Sequence, residues 1–211
     1  TGQAYIVVDD AGENQIMIHA GANTAFTPEY VQSKADLIKN SDFIIAQFES
    51  SLDSVTEAFK IAREAGVKTI LNPAPAVEKV PSDLLAVTDM IIPNETETEI
   101  LTGIEVTDEA SMKKASKALH DEGIEAVLIT IGSKGTFYDV NGKSGIIPAF
   151  KVKAVDTTSA GDTFIGAMST VLNKDFSNLE DAILYGNKAS SLTVQRFGAQ
   201  PSIPYKKELE K

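Results

Sequence analysis

The stretch FIIAQFESSLDSVTEAFKIAREAGVKTILN, residues 43–72, contains the pattern that decides the fold class. Two short apolar runs, Phe43–Phe48 and Thr69–Asn72, flank a segment at 52–65 whose apolar residues recur at helical spacing. This order is typical of a βαβ unit, in which two parallel strands are joined by a helix that covers one face of the sheet. The stretch therefore predicts an α/β fold with a mostly parallel sheet.

The same alternation continues along the chain. Met90–Pro93 and Ala126–Ile131 are further apolar runs that predict buried strands. Two runs at 137–140 and 144–155, separated by an Asn-Gly turn, predict an antiparallel hairpin added to the sheet. The predicted helices span residues 29–39, 52–65, 81–87, 95–102, 108–122, 160–173 and 178–196.

The N-terminal residues follow a different pattern. Runs at 4–8 and 15–19 flank a turn-rich spacer and predict a separate β-hairpin. The expected organisation is a hairpin segment, residues 1–23, followed by an α/β core, residues 24–211. Because the chain opens without Met and directly in a strand, we expect it to be a fragment of a longer protein.

Composition excludes several function classes. Thirty acidic and 19 basic residues give a net charge of −11, which opposes binding to nucleic acid or to an anionic membrane. The chain has no Cys and two His, which excludes disulfides and thiolate chemistry and argues against a His-rich metal centre. No apolar run approaches the roughly 20 residues of a membrane span, so a cytoplasmic protein is expected.

Residues 155–164, VDTTSAGDTF, form the stretch most informative about chemistry. A turn of small and polar residues leads directly into an apolar helix, whose first amide groups can bind an anion. Asp162 beside such a site could take a proton from a hydroxyl nucleophile, which suggests phosphoryl transfer. The alternative is that Asp162 is the N-cap of a helix that follows a tight turn.

This stretch resembles the signature D-T-x-G-A-G-D of the ribokinase-like (PfkB) carbohydrate kinases, with Ser159 where Gly is usual. Six further stretches resemble the family's motifs in the same order. They are HAGAN at 19–23, QFES at 47–50, NPAP at 72–75, PNETE at 93–97 and TIGSKG at 130–135, and GAQPS at 198–202 follows the signature. The resemblance implies a three-layer α/β/α fold with a remnant of a β lid.

The resemblance also implies the roles of individual residues. Asp162 would be the catalytic base, and Ala160, Gly161 and the Asp162 amide would form the anion hole. Residues implied to bind ATP are Asn94, Thr130, Gly132, Ser133, Gly135, Gly161 and Asn187. Glu97, from the family's N-x-x-E motif, would help to hold a hydrated Mg²⁺.

A monovalent cation site and a sugar site are implied in the same way. The residues implied to hold K⁺ are Asp156, Thr158, Thr193, Arg196, Gly198 and Ser202. The residues implied to contact the sugar are Glu49, Ala4, Ile6 and Ile18, together with Asp162. Pairing of lids between subunits in the family implies a homodimer.

Each of these residues also has a simpler interpretation. Asn94 could cap the helix at 95–102, and the Gly-x-x-Gly stretch could be a plain turn in the left-handed region. Asn187 could be an ordinary polar helix residue, and Glu49 a surface acid at a strand end. The apolar residues of the first hairpin could simply pack on the core.

The expected function is ATP-dependent phosphorylation of D-ribose to D-ribose 5-phosphate. Another sugar or nucleoside kinase of the same family, such as a fructokinase or deoxyribokinase, is one alternative. The family's early Asp and Gly-Gly-Lys stretch do not occur, so we expect roughly the N-terminal third to be missing. The second alternative is therefore an inactive nucleotide-binding fragment. An oxidoreductase is disfavoured because no G-x-G-x-x-G fingerprint follows a strand.

Overall fold

The computed structural model describes residues 1–8, 14–77 and 79–210. The strands in these ranges are β1 (Gln3–Val8), β2 (Asn14–His19), β3 (Phe43–Ala46), β4 (Lys68–Leu71), β5 (Met90–Ile91), β6 (Ala126–Thr130), β7 (Thr136–Val140) and β8 (Lys143–Ile147). The helices are α1 (Pro28–Gln32), α2 (Ala35–Lys39), α3 (Leu52–Glu64), α4 (Ser82–Leu85), α5 (Glu95–Thr102), α6 (Glu109–Asp121), α7 (Ala160–Ser169), α8 (Leu179–Thr193) and α9 (Lys206–Leu209).

Six strands form one sheet in the order β3-β4-β5-β6-β7-β8. The first four are parallel, and β7 and β8 are added as antiparallel neighbours. The predicted mostly parallel sheet with an antiparallel hairpin is therefore confirmed. Because parallel neighbours end on the same side, the segments that follow β3 to β6 meet at one edge.

Helices cover both faces of the sheet, so the predicted three-layer arrangement is confirmed. Leu71 and Ile91 belong to a buried cluster with side chains of α3, α4 and α6. Their neighbours Ile70 and Met90 belong to a second cluster with side chains of α7 and α8. Side chains of adjacent strand residues point to opposite faces, which is why one short strand supplies both cores.

Helices α7 and α8 pack closely against each other. A Cβ atom on Gly186 would lie 2.8 Å from the ring of Phe164, which shows that the absence of a side chain permits the contact. This packing sets the position of α8 relative to the first turn of α7.

Several predicted elements end a few residues early, as α7 does at Ser169, and two differ from the observed ones more strongly. The helix predicted at 29–39 is interrupted at Ser33, whose hydroxyl donates to the Tyr30 carbonyl and competes with the helical ladder. The strand predicted at 144–155 ends at Ile147, because Pro148 has no amide hydrogen to continue the ladder.

The N-terminal hairpin is confirmed as a two-stranded sheet in which β1 pairs with β2, apart from the main sheet. The predicted turn at residues 9–13 lies outside the described residues. The division into a hairpin segment, 1–23, and a core, 24–211, stays a prediction. Among the helices of the described ranges, none is long and apolar enough to cross a membrane.

Candidate active site

The carboxyl ends of the parallel strands bring several polar residues to one edge of the sheet. Asn94 directly precedes α5 and forms a parallel bridge with Thr130, the last residue of β6. The Thr130 amide donates to the Pro93 carbonyl at 2.9 Å. The segments after β5 and β6 are therefore held side by side, at the edge where ligands bind in sheets of this type.

Two adjoining cavities lie at this edge, with volumes of about 340 Å³ and 210 Å³. Both are lined by Asn94, Thr130, Ala160 and Gly161. Of the other residues predicted to form the site, Gly132, Gly135 and Asn187 line the larger cavity, and Glu97 and Asp162 line the smaller one. The structure thus brings residues from four separate segments of the sequence to one place.

The first turn of α7 supplies amide groups to both cavities. The Ala160 amide donates to the Thr157 carbonyl at 3.2 Å, so it closes the preceding turn. Within the described part of the chain, the amides of Gly161 and Asp162 have no protein acceptor. A Cβ atom on Gly161 would have no neighbour within 4 Å. Two free amides at the start of a helix, beside a residue without a side chain, fit an anionic group.

Ser159 is the N-cap of α7 and has a φ of 60°, in the left-handed region. Such a conformation costs a non-glycine residue about 1–2 kcal/mol. Asp162 is the third residue of the helix, so the alternative in which it is the N-cap is wrong. Asp162 is exposed and lines the smaller cavity together with Gly161.

Asn94 and Glu97 form a reciprocal capping box at the start of α5. The Glu97 carboxylate accepts from the Asn94 backbone amide at 2.8 Å and from its side-chain Nδ2 at 2.9 Å. The Asn94 side chain accepts from the Glu97 amide at 2.8 Å, which confirms the capping interpretation.

Burial raises the pKa of the Glu97 carboxyl, although the hydrogen bond from the Asn94 amide acts in the opposite direction. In the described ranges, no group of three or more His, Asp or Glu side chains is placed to hold a metal ion directly. A hydrated divalent ion nevertheless fits this carboxylate, because the remaining lone pairs can accept from bound water and the positive charge would offset burial.

The loop between β6 and β7 forms one wall of the larger cavity. Gly132 has a φ of 54°, and Gly135 has a φ of 118°. A Cβ atom on Gly135 would lie 2.1 Å from the Ile147 carbonyl oxygen, so the loop contacts the end of β8 closely. Ser133 is exposed in the same loop but is not among the residues that line the cavity.

Asn187 lies on α8 and is 7% exposed at the wall of the larger cavity. Its amide is hydrogen-bonded to Thr136 and to the carbonyls of Ile147 and Pro148. The interpretation as an ordinary polar helix residue is therefore wrong, because the side chain connects three segments.

Two loops meet at the residues predicted to hold a monovalent cation. The Asp156 carboxylate accepts from the amides of Thr158 and Gly198, both at 2.9 Å. The amides of Val155 and Asp156 donate to the Val194 carbonyl. The Asp156 carboxylate is an oxygen ligand of the type that suits a hard monovalent cation.

The other predicted members of this cation group lie nearby in the chain. Thr193 and Ser202 are buried. The Thr193 carbonyl accepts from the backbone amide of Arg196, and the Ser202 carbonyl accepts from its guanidinium. The Arg196 side chain also pairs with Glu208 at 2.6 Å. The positive charge of Arg196 is thereby paired with the carboxylate of Glu208, which lies on α9.

Replacement of Asp156 by Asn is expected to lower the melting temperature near pH 7. The hydroxyl and amide of Thr158 and the Gly198 amide hold the pKa of Asp156 below its ordinary value of 3.8. A lowered pKa in the folded state stabilises the protein above the ordinary value, and this contribution is lost as the pH falls through the folded value. Thermal unfolding of the wild type and Asp156→Asn from about pH 7 to about pH 2 should therefore converge at the acid end.

Asp121→Asn is the control for this comparison, because Asp121 pairs with Lys117 on the exposed surface. We expect it to change the melting temperature little at any pH. An equal loss in the two variants near pH 7 would contradict the role of Asp156 in joining the loops.

Of the residues predicted to contact the sugar, Asp162 lines the smaller cavity, whereas Glu49, Ala4 and Ile18 line neither cavity. Glu49 lines a different groove of about 600 Å³, formed by α1, α2 and β3. Ala4 and Ile18 are exposed partners in the β1–β2 hairpin. Ile6 belongs to β1, and its side chain lies outside the described part of the structure.

Five residues that were not predicted as site residues also line the larger cavity: Glu95, Thr96, Thr136, Phe164 and Ser190. Thr136 directly follows the Gly-x-x-Gly stretch, and Ser190 lies three residues after Asn187 on the same helix. The Ser190 hydroxyl donates to the Ala160 carbonyl at 3.1 Å, which ties α8 to the first turn of α7. Helical spacing from Asn187 was the signal that could have identified Ser190.

The chain is similar to several known proteins. It is 52% identical over 209 residues to the ribokinase of Staphylococcus aureus, covering 99% of this chain and 68% of that protein. It is 46% identical over 208 residues to the ribokinase of Haemophilus influenzae, covering 99% and 67%. The chain thus spans about two thirds of the length of these relatives.

A solved structure of Arabidopsis thaliana ribokinase with ribose and ATP superposes with a TM-score of 0.92 at 30% identity, covering 100% of this chain and 68% of that one. The family model described as "pfkB family carbohydrate kinase" matches residues 1–206. Since that match covers nearly the whole chain, and the free amides of α7 lie beside Asp162 at the sheet edge, the chain belongs to the pfkB family of carbohydrate kinases.

Proposed function

We propose that the chain transfers the terminal phosphoryl group of ATP to D-ribose and forms D-ribose 5-phosphate and ADP. One observation carries the proposal: Asp162 and Gly161, whose backbone amides have no acceptor in the described part of the chain, line the smaller cavity together. The names and complex reported for the relatives support ribose and ATP as the substrates.

In this proposal, Asp162 accepts the proton of the sugar hydroxyl as its oxygen forms a bond to the γ-phosphorus. The bond between that phosphorus and the bridging oxygen breaks, and ADP leaves with the bond's electron pair. The free amides of α7 stabilise the negative charge on the transferred group. Positioned amides suit this reaction because they need no reorganisation as charge develops.

The larger cavity would hold the nucleotide. Its lining of glycines and small polar residues, including Gly132, Gly135 and Thr130, lets a ligand approach the backbone. Asn94 lines both cavities and would therefore lie near the phosphates. Ser133, in the same loop, would contact the nucleotide from the exposed side.

Cations would complement the phosphates in an acidic protein. Glu97 would hold Mg²⁺ through water, and the ion would neutralise charge on the phosphates of ATP. Asp156 and Thr158, with the carbonyls of the 193–202 loop, would hold K⁺ beside the first turn of α7. The hydrogen bonds that join these two loops support this assignment.

The hairpin segment, 1–23, would act as a lid over the sugar and pair with a second copy in a homodimer. Exposed apolar side chains on both hairpin faces support this proposal: Tyr5 and Met17 lie on one face and Ile18 on the other. Glu49 would contact the sugar from the end of β3. A cytoplasmic location is part of the same proposal, because ATP is available there.

The proposal is tested by measuring ATP consumption by the purified 211-residue chain with Mg²⁺ and K⁺, with and without D-ribose. The expected result is ribose-dependent formation of ADP and ribose 5-phosphate, with a molar mass by light scattering of twice the chain mass. Nucleotide binding without turnover would contradict the kinase activity for this chain. A clear preference for fructose, deoxyribose or a nucleoside in a panel of acceptors would contradict ribose as the substrate.

A further inference from the structure

A buried hydrogen-bond network connects α8 to the two ends of the β7–β8 hairpin. The Thr136 hydroxyl donates to Oδ1 of Asn187 at 3.0 Å. Nδ2 of Asn187 donates to the carbonyls of Ile147 at 3.2 Å and Pro148 at 3.3 Å. Thr136 is 1% exposed and Asn187 is 7% exposed, yet both line the larger cavity.

The network engages both polar atoms of the Asn187 amide. A side-chain amide has two donor hydrogens and one acceptor oxygen, and here Nδ2 donates to two backbone carbonyls while Oδ1 accepts from Thr136. The amide is therefore committed to partners within the protein. Its main contribution to the cavity is the shape of the wall that it holds.

The orientation of this amide depends on Thr136. Only a donor can satisfy Oδ1, and the Thr136 hydroxyl is the group placed to do so. Thr136 also pairs with Ile147 in the β7–β8 ladder and directly follows Gly135, which closely contacts the Ile147 carbonyl. One hydroxyl thus fixes the amide that joins α8 to the loop and to the end of β8.

We propose that Thr136 is a positioning residue of the nucleotide site, which acts through Asn187 to hold the wall formed by the β6–β7 loop and the end of β8. This inference rests on the proposed nucleotide cavity. Without the hydroxyl, Oδ1 of Asn187 is buried and unsatisfied, and the amide turns towards the cavity to find water. In the free protein, the wall of the cavity then no longer has the shape that is complementary to the nucleotide.

The test compares Thr136→Val, which has nearly the same shape but no hydroxyl, with Thr136→Ser, which keeps the donor. Binding of ADP in the presence of Mg²⁺ is measured by titration calorimetry on the full chain. Thr136→Val is expected to raise the Kd of ADP about tenfold, and Thr136→Ser by no more than about twofold. In the ribose-dependent assay, the KM for ATP should rise in Thr136→Val while kcat changes little.

Thr88→Val is the matched control. Thr88 is fully buried and its hydroxyl donates to the Leu84 carbonyl at 2.8 Å, before β5 and away from the cavities. It should lower the melting temperature and leave the Kd of ADP unchanged.

Three results would overturn the inference. Thr136→Val could lower the melting temperature as Thr88→Val does and leave ADP binding intact, which would make the role purely structural. Thr136→Ser could weaken binding as much as Thr136→Val, which would exclude the hydroxyl as the cause. A wild-type chain that binds no ADP would overturn the proposed function and this inference together. This outcome is distinguished from the other two because ADP binding by the wild type is measured before any variant.

Discussion

Asp162→Asn is expected to lower kcat for ribose phosphorylation by about 10²–10⁴-fold and to leave the Kd of ADP nearly unchanged. The asparagine keeps the size of the side chain but cannot accept the proton of the sugar hydroxyl. The free amides of Gly161 and Asp162 remain, so the site for the phosphoryl group is preserved. Steady-state kinetics with saturating ATP and ribose, together with calorimetry of ADP binding, measure the two effects separately.

Asp181→Asn is the matched control, because Asp181 also lies in the first turn of a helix but lines a different cavity. Both variants remove a negative charge from a helix N-terminus, which costs stability of about 0.3–1 kcal/mol. Asp181→Asn should retain wild-type turnover. Turnover by Asp162→Asn within a few fold of the control would exclude Asp162 as the base.

The second large effect is expected for Gly135→Ala, as a loss of about 3 kcal/mol or more in the free energy of unfolding. Gly135 has a φ of 118°, which a residue with a Cβ rarely adopts. The added atom would lie 2.1 Å from the Ile147 carbonyl oxygen and 2.7 Å from the Ala149 amide nitrogen. Since these neighbours are backbone atoms, the loop and the end of β8 must separate.

Gly132→Ala provides the comparison within the same loop. Gly132 also has a positive φ, of 54°, but a Cβ there would have no neighbour within 4 Å. This variant should lose only about 1–2 kcal/mol, the cost of the left-handed conformation. Urea unfolding measures both variants. Equal losses would show that the loop is not held against the end of β8.

Periodicity was enough to predict the mostly parallel sheet. The βαβ pattern of residues 43–72 reflects local spacing, since the apolar residues of α3 must lie on one side of the helix to reach the sheet. The two largest departures involve single residues. The hydroxyl of Ser33 donates to the Tyr30 carbonyl and interrupts the predicted helix, and Pro148 ends the predicted strand because it has no amide hydrogen. Both residues are visible in the sequence.

The candidate site could be predicted only in part. Asn94 and Thr130 were predicted from motifs that resemble those of the family, and the topology of the parallel sheet brings the two residues together at neighbouring strand ends. Thr136 and Ser190 were missed because their importance depends on partners far along the chain. Thr136 reaches Asn187 across 51 positions, and Ser190 reaches Ala160 across 30.

The sequence by itself determined the class of fold, the family and the identity of the candidate base, because helical and strand periodicity and motif order are properties of neighbouring residues. Only the tertiary structure decided which amides of α7 are free, that Asn187 donates to backbone carbonyls, and that Glu49 lies in another groove. These facts depend on hydrogen bonds and packing between distant segments. Such contacts form only when the chain is folded, and no local pattern in the sequence predicts them.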